Sequence, residues 1–313
     1  MAYQSVGQCR FFVDSLTWLR SLGLAQPTEG SLDVFNLNPS SQTTITTIDG
    51  TIHGWTIGIQ NEIEVNYYML LGHNFGGYAG GDIATSDGLI GFNLNAYDSN
   101  LNVNAGGTNA IDIGYSGFSI GGIDKMTISA GDIAYRYYTN MEATLSLSSL
   151  SCFCLGKYYD LPHSPDLSLT LTRDYSGIKT IETKGGASLS NSFYTSPPKW
   201  GGTREAWQLG DTDFSTGGRR SWSLSFSYLS DSSVFPDNPT EIAGGGGWEV
   251  DDATPDFMSE VLKKTRGSML RFIFQPNTDE NLFAICKFDM KSFKFKQVSN
   301  GIFNISLKIR EVW

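Results

Sequence analysis

The sequence is poor in charged side chains: only 17% of its 313 residues are Asp, Glu, Lys or Arg. Globular proteins usually have about 25%, and here Ser, Thr, Asn and 35 glycines supply much of the polarity. Hydrophobic residues make up 40% and aromatic residues 13%, which is ample for packed cores. This composition favours β-sheets joined by turns, with large surfaces buried against neighbours. The length predicts about two domains.

Basic residues are fewer than acidic ones, and the formal net charge is −10. A nucleic-acid partner needs a cationic face to neutralise phosphates. The basic pairs, Arg219-Arg220 and Lys263-Lys264, are isolated in the sequence. We therefore expect no nucleic-acid partner.

Cysteine is rare, at four residues. Cys152 and Cys154 alternate within SLSSLSCFCLG, a strand pattern that places both thiols on one face. A zinc site needs more nitrogen or sulfur ligands at suitable spacing. Cys9, Cys152, Cys154 and Cys286 are therefore predicted to be buried free thiols, made in a reducing cytoplasm.

The sequence also lacks recognisable catalytic and cofactor-binding motifs. The three histidines, His53, His73 and His163, lie far apart in the sequence, and no metalloprotease, nucleophile-elbow, phosphate-loop or dinucleotide-binding pattern is present. The prediction is a protein that is not an enzyme, with no catalytic residues, no metal and no cofactor. Acidic residues in the turns leave a glycoside hydrolase or a surface calcium site open as alternatives.

No secretory or membrane segment is recognisable. The N-terminus MAYQSVGQCRFFVDS has no basic start followed by an apolar core, and no apolar run reaches membrane-spanning length. We expect a chain made in the cytoplasm, not secreted by a signal peptide and not inserted in a membrane.

Short alternating segments separated by Gly, Asn and Asp turns recur along the chain, a pattern typical of sandwiches and jelly rolls. RRSWSLSFSYLS predicts a strand with Trp222, Leu224, Phe226 and Tyr228 on its buried face. The opening CRFFVDSLTWLRSLGL fits a helix or a strand.

The end of the chain predicts a β-hairpin. Asn300-Gly301 is a strong hairpin signal for a type I′ turn, which needs positive φ at both residues. After it, Phe303, Ile305, Leu307 and Ile309 share one face, and Trp313 is in phase with them.

One short helix is predicted at about residues 254–266. Thr254 is its expected N-cap, Pro255 its first residue and Gly267 its stop, with Asp256 in the first turn and lysines at the end.

The predicted fold class is therefore mainly β, with three segments. Residues 1–50 are expected to pack with the C-terminal domain. Residues 51–150 are expected to form a jelly-roll or β-sandwich module. Residues 151–313 are expected to form a β-rich assembly domain with the short helix and the terminal hairpin.

Two sets of residues are candidates for contacts with other molecules. His73, Asn74 and Tyr78, in a glycine-rich loop after a strand, could bind a sugar or simply close a turn. An assembly interface is predicted at six residues, because interfaces are rich in aromatic side chains: Tyr158, Tyr159, Trp200, Phe303, Ile305 and Trp313.

Several stretches resemble tailed-bacteriophage virion proteins. NYYMLLGHNFGG (66–77) resembles a strand and turn in galactose-binding-type jelly-roll modules of such particles. LRFIFQPN, NLFAICKFDM and FKFKQVSNGIFNISLKIREVW resemble the closing segment of phage tail structural proteins. TKGGASLSN and GRRSWSLSFSYLS resemble their middle part.

The resemblance implies a virion structural protein, such as a distal tail or baseplate component. It implies a homo-oligomer, with six-fold rings as the common arrangement, in contact with other tail or head proteins. A tail-tip protein that binds host-surface glycan and a capsid decoration protein are the alternatives.

Overall fold

Alternation of apolar and polar side chains produces strands through most of the chain, as a computed structural model shows. The structure describes residues 6–29, 32–38, 43–44, 47–48, 51–52, 55–72, 78–85, 88–95, 113–115, 118–139, 149–174, 180–190, 199–200, 204–205, 219–236, 239–241, 248–250, 255–280 and 283–312.

The strands fall into three consecutive groups. Those up to residue 71 are β1 (Arg10–Asp14), β2 (Ala25–Glu29), β3 (Thr43–Thr44), β4 (Thr47–Ile48), β5 (Thr51–Ile52), β6 (Thr56–Ile59) and β7 (Ile63–Leu71). The middle group is β8 (Tyr78–Thr85), β9 (Gly88–Asn95), β10 (Ile113–Tyr115), β11 (Phe118–Ile128), β12 (Gly131–Thr139), β13 (Ser149–Leu150), β14 (Cys152–Asp160) and β15 (Thr170–Asp174). The last group is β16 (Thr180–Glu182), β17 (Ser188–Ser190), β18 (Lys199–Trp200), β19 (Arg204–Glu205), β20 (Arg219–Ser230), β21 (Pro239–Glu241), β22 (Trp248–Val250), β23 (Phe272–Gln275), β24 (Ala284–Phe288), β25 (Phe295–Ser299) and β26 (Ile302–Glu311).

Helical segments within the described residues are short. They are α1 (Ser15–Ser21), a 3₁₀ turn (Leu32–Phe35), α2 (Asp231–Val234) and a π-helix (Met258–Lys263). Strands dominate and the predicted C-terminal helix is present, so the predicted mainly β class is confirmed.

The opening segment is both strand and helix. Residues 10–14 form β1, and the Asp14 carboxylate then caps α1 by accepting from the backbone N–H groups of Leu16 (3.3 Å) and Thr17 (3.1 Å). Each interpretation of the ambiguous sequence is therefore right for part of the segment.

The π-helix is shorter than the predicted helix, and Pro255, its predicted first residue, precedes it. Thr254 lies outside the described residues, and the Asp256 carboxylate accepts from the backbone N–H of Ser259 at 2.9 Å. Gly267 ends the segment with φ of +68°, as expected for a glycine stop.

Within the described residues, the main sheet has eleven antiparallel strands. Its order is β10-β11-β7-β14-β1-β23-β24-β26-β20-β15, and β25 also pairs with β26. This ladder joins strands from all three predicted segments. The division into domains stays a prediction, but its boundaries do not coincide with those of the sheet.

A second sheet contains β2, β6, β12, β5, β4, β8 and β9. It faces the main sheet across a cluster that we call the sandwich core. Ile57, Ile59 and Ile133 from the second sheet meet Val65 and Leu155 from the main sheet there. Two sheets packed in this way form a β-sandwich.

The same face of the main sheet carries a second cluster, which we call the aromatic core. It contains Phe11, Trp222, Phe226, Phe257, Phe272 and Phe274, and the π-helix covers part of it. A third cluster, the outer core, lies on the opposite face and includes Phe12, Met69, Cys152, Cys154, Ile273 and Ile285.

Candidate assembly surface

The terminal hairpin has the predicted strands but a different turn. Ile305, Leu307 and Ile309 are buried, and Ser306 and Lys308 between them are exposed. Gly301 has φ of +65°, whereas φ of Asn300 is not positive. The strands also shift register between Gln297 and Ser299. The predicted type I′ turn is therefore wrong: one left-handed glycine next to a bulge closes the hairpin.

The last strand is anchored inside its own chain. The Arg220 guanidinium donates to the Glu311 carboxylate at 2.9 and 3.1 Å, and the Arg220 backbone N–H donates to the same carboxylate at 2.8 Å. Burial lowers the pKa of Arg220, but the attraction of Glu311 outweighs burial and raises that pKa above its usual value. The hairpin is thus held in the sheet by a buried ion pair.

Two of the six predicted interface residues are core residues. Tyr159 is buried and its hydroxyl donates to the Ser233 carbonyl at 2.7 Å. Ile305 is buried in the aromatic core. These two assignments need correction, because the alternation of their strands turns both side chains into the chain itself.

Of the other four predicted interface residues, two have described side chains. Tyr158 is half-buried, and Cζ of the Arg10 guanidinium lies 4.0 Å from the centroid of the Tyr158 ring. Phe303 is half-buried against Phe235, with ring centroids 5.1 Å apart. Trp313 and the side chain of Trp200 lie outside the described residues. Tyr158 packs against the outer core and Phe303 against the aromatic core, so these two residues lie on opposite faces of the main sheet.

The predicted sugar-binding loop stays a prediction. His73 and Asn74 lie outside the described residues. Tyr78 begins β8, where its backbone is opposite Asn95, but its side chain also lies outside the described part.

The structure reveals an exposed aromatic residue that the alternation had placed inside. Tyr228 is 78% exposed, and Leu229 is buried in its place. The pairing of β20 with β26 shifts between Phe226 and Leu229, so that an extra residue lies opposite Asn304. This bulge reverses the direction of Tyr228. The signal in the sequence was Tyr228-Leu229, two successive apolar residues that break the alternation.

The bulge is held in place by polar contacts. The Tyr228 backbone N–H donates to Asn304 Oδ1 at 3.0 Å. The Ser227 hydroxyl donates to Asp166 Oδ2 at 2.8 Å, and the Asp166 backbone N–H donates to the Ser225 carbonyl at 2.7 Å. The next residue, Leu167, is fully exposed.

Tyr228 and Leu167 together form a feature that we call the bulge platform. Tyr228 has φ of +62°, a conformation that costs a bulky residue about 1–3 kcal/mol. An exposed tyrosine is suited to burial against another molecule, because tyrosine often dominates binding at interfaces. The strained backbone presents the ring to solvent.

A chain of ion pairs lies beside these cores, with Lys157 and Glu260 buried and Lys125 exposed. Lys157 Nζ lies 2.7 Å from Glu64 Oε2 and 2.9 Å from Glu260 Oε1. Lys125 pairs with Glu64 at 3.1 Å, and Lys264 pairs with Glu260 at 2.8 Å. Burial raises the pKa of both carboxyls, but the lysines outweigh it and hold each pKa below its usual range. The arrangement is that of a structural ion network.

The four cysteines are buried and unpaired by disulfides, as predicted. Burial raises the pKa of all four thiols, that of Cys9 to about 12. They therefore act as small apolar side chains and not as nucleophiles.

Within the described residues, no three His, Cys, Asp or Glu side chains form a group that could hold a metal ion. None of the helices in the described part is long and apolar enough to cross a membrane.

No protein-family model, no curated protein sequence and no solved structure matches this chain.

Proposed function

We propose that this chain is a structural subunit of a tailed-bacteriophage particle, a tail or baseplate protein that associates with copies of itself through β-rich surfaces. It would be made in the host cytoplasm and act in the virion, in contact with other tail or head proteins. The terminal hairpin and the β20 segment, which carry much of the resemblance, form adjacent strands of the main sheet.

The bulge platform is the observation that carries this proposal. Its exposed Tyr228 lies in the bulge of β20, where Asn304 accepts from the Tyr228 backbone N–H, and its exposed Leu167 follows Asp166, which accepts from the Ser227 hydroxyl. Exposed apolar surface of this kind can serve as an interaction site. In a subunit whose outer surface is buried by neighbouring subunits, such a platform would form one of the contacts.

The mass of the purified protein, measured by light scattering with negative-stain imaging, tests the proposal. We expect a multiple of the 34.3 kDa chain mass, and rings in the images. Tyr228→Ser combined with Leu167→Ser should shift that mass towards the monomer.

A matched control comes from the β16–β17 hairpin. Ile181 and Leu189 are opposite each other in that hairpin and are 65% and 60% exposed. Serine at both positions removes similar apolar area but should leave the assembly intact. A wild-type monomer at all concentrations would contradict the assembly role, and unchanged assembly of the Tyr228 and Leu167 variant would remove the platform from it.

Glycan binding at a tail tip is the second candidate, because the exposed Tyr228 offers an apolar ring with a polar hydroxyl to a ligand. Glycan arrays discriminate between the two proposals. Saturable binding lost in Tyr228→Ala would favour this site, whereas loss in His73→Ala would favour the loop predicted from the sequence. Absence of binding across a broad array would leave assembly as the sole proposal.

A further inference from the structure

Charge is segregated along the chain. Residues 21–124 contain ten Asp and Glu residues and no Lys or Arg. Residues 287–310 contain six Lys and Arg residues and a single acid, Asp289. A chain with a net charge of −10 therefore has one long acidic segment and one short basic segment.

Within the described residues, the main sheet separates strands that come from these two segments. The acidic segment supplies β7 and β10 and most of β11, and the basic segment supplies most of β26 and all of β25. Four strands lie between β7 and β26, which corresponds to about 24 Å at the usual spacing of strands. The screening length at physiological salt is about 8 Å. Glu62, which precedes β7, and Lys296 of β25 therefore cannot neutralise each other within one molecule.

The basic region has exposed lysines along an open edge. Lys291, Lys294 and Lys296 are exposed, and none forms an ion pair with the described residues. In the part of the chain that the structure describes, β25 pairs with β26 alone. The other edge of β25 therefore presents backbone donors and acceptors next to the lysines. We call this surface the basic edge.

The acidic region presents carboxylates at two adjacent turns. Glu62 and Asp132 are exposed and form no ion pair with the described residues. Glu62 lies directly before β7, and Asp132 lies near the start of β12. Because Ile63 pairs with Ile128 and Gly131 pairs with Ile59, these two turns are neighbours. We call them the acidic turns.

We propose that the acidic turns of one copy dock on the basic edge of the next copy. This inference rests on the proposed function, since it names a contact through which copies associate. The contact uses two different surfaces of each molecule, so every copy retains a free acidic side and a free basic side. Such head-to-tail contacts repeat into a ring when their rotation closes.

The partner is a second copy because the complementary charge is on the same chain. Lysines on an edge strand can have another role, which is to prevent the edge from pairing with unintended partners. If the lysines bind a second copy, exchanging them for glutamate should weaken self-association; if they only protect the edge, the exchange should not weaken it.

Sedimentation of the full chain over a salt series is the first test. Between about 50 mM and about 500 mM NaCl the screening length falls from roughly 14 Å to roughly 4 Å. The apparent Kd for self-association should rise at least about tenfold across this series. Lys294→Glu with Lys296→Glu should raise it by a similar factor at low salt.

A single exchange provides the matched control. Lys296→Glu and Lys184→Glu each change the net charge by two at an exposed lysine that forms no ion pair with the described residues. Only Lys296→Glu should weaken association. Glu62→Lys with Asp132→Lys should also weaken it, and an equal mixture of the two double variants should restore it, because each then meets its complement.

The outcomes separate this contact from the proposed function. A wild-type protein that stays monomeric at every salt concentration would overturn both. Wild-type assembly that neither salt nor Lys294→Glu with Lys296→Glu alters would overturn this contact alone. Binding of a short DNA duplex to the basic edge, with no loss of self-association in the variants, would also overturn it.

Discussion

The sandwich core and the aromatic core lie on one face of the same sheet, but they are filled differently. Branched aliphatic residues such as Ile57, Ile59 and Ile133 predominate where the second sheet covers the main one. Phenylalanine is more frequent where the π-helix contributes the cover. Two pleated sheets approach evenly and suit β-branched side chains, whereas larger rings fill the less regular space beneath a short helix.

The boundary between the two cores is ionic. Lys157 lies on the main sheet between Glu64, from the sandwich side, and Glu260, from the π-helix. The comparison shows that one continuous sheet can have two separately covered regions. A buried charge network then links the elements that cover them.

Phe11→Ala should produce the largest effect, on the aromatic core. The Phe11 ring lies 5.2–6.1 Å from the centroids of four other aromatic rings. Its removal should lower the free energy of unfolding by about 3–5 kcal/mol, measured by urea denaturation. Ile57→Val in the sandwich core should cost only about 1 kcal/mol. Equal losses would mean that the aromatic core relaxes around the cavity.

Lys157→Ala tests the boundary between the cores. It leaves Glu260, which is 2% exposed, without its central partner, and removing one member of a buried pair costs about 3–5 kcal/mol. Lys125→Ala removes the exposed lysine from the same network and should cost less than about 1 kcal/mol. If both variants unfold at the same urea concentration, the network does not link the two regions.

Asp14 lies where β1 of the aromatic core passes into α1 of the sandwich core. Burial raises its pKa to about 6 from a usual 3.8, even though Thr17, Leu155 and Leu16 donate hydrogen bonds to it. The folded state therefore binds this proton more tightly than the unfolded state. The resulting stability is fully present below about pH 4 and is lost as the pH rises through 6, by at most about 3 kcal/mol.

Asp14→Asn should remove this pH dependence. As the pH rises from 4 to 6, the unfolding free energy of the wild type should fall relative to that of the variant. Parallel pH profiles of the two proteins would show that the Asp14 carboxylate has the same pKa in both states.

Tyr228→Asn should have the smallest effect, and it should be stabilising. Asparagine adopts positive φ more readily than tyrosine, so relief of the strain should raise the unfolding free energy by about 1 kcal/mol. Tyr228→Phe retains the ring and the strain and should match the wild type. A loss of stability in Tyr228→Asn would show that the ring makes contacts that offset its backbone.

Local patterns in the sequence predicted the strands well and the surfaces poorly. The alternation from Trp222 to Phe226 and from Ile305 to Ile309 identified two neighbouring strands of the main sheet and their buried faces. The bulge at Tyr228 was not predicted, because it arises from the pairing of β20 with β26, which are distant in the sequence. The candidate interface failed at Tyr159 and Ile305 because alternation identifies an apolar face without identifying what covers it.

The sequence by itself determined the mainly β class, the terminal hairpin, the buried free cysteines and the glycine stop at Gly267. Each of these depends on side-chain periodicity or on the backbone freedom of one residue, which are local properties. The tertiary structure decided that one sheet joins all three predicted segments, that Tyr228 faces solvent, and that the acidic turns and the basic edge lie apart. These features depend on which strands pair, and long-range pairing is set by the packing of the whole chain.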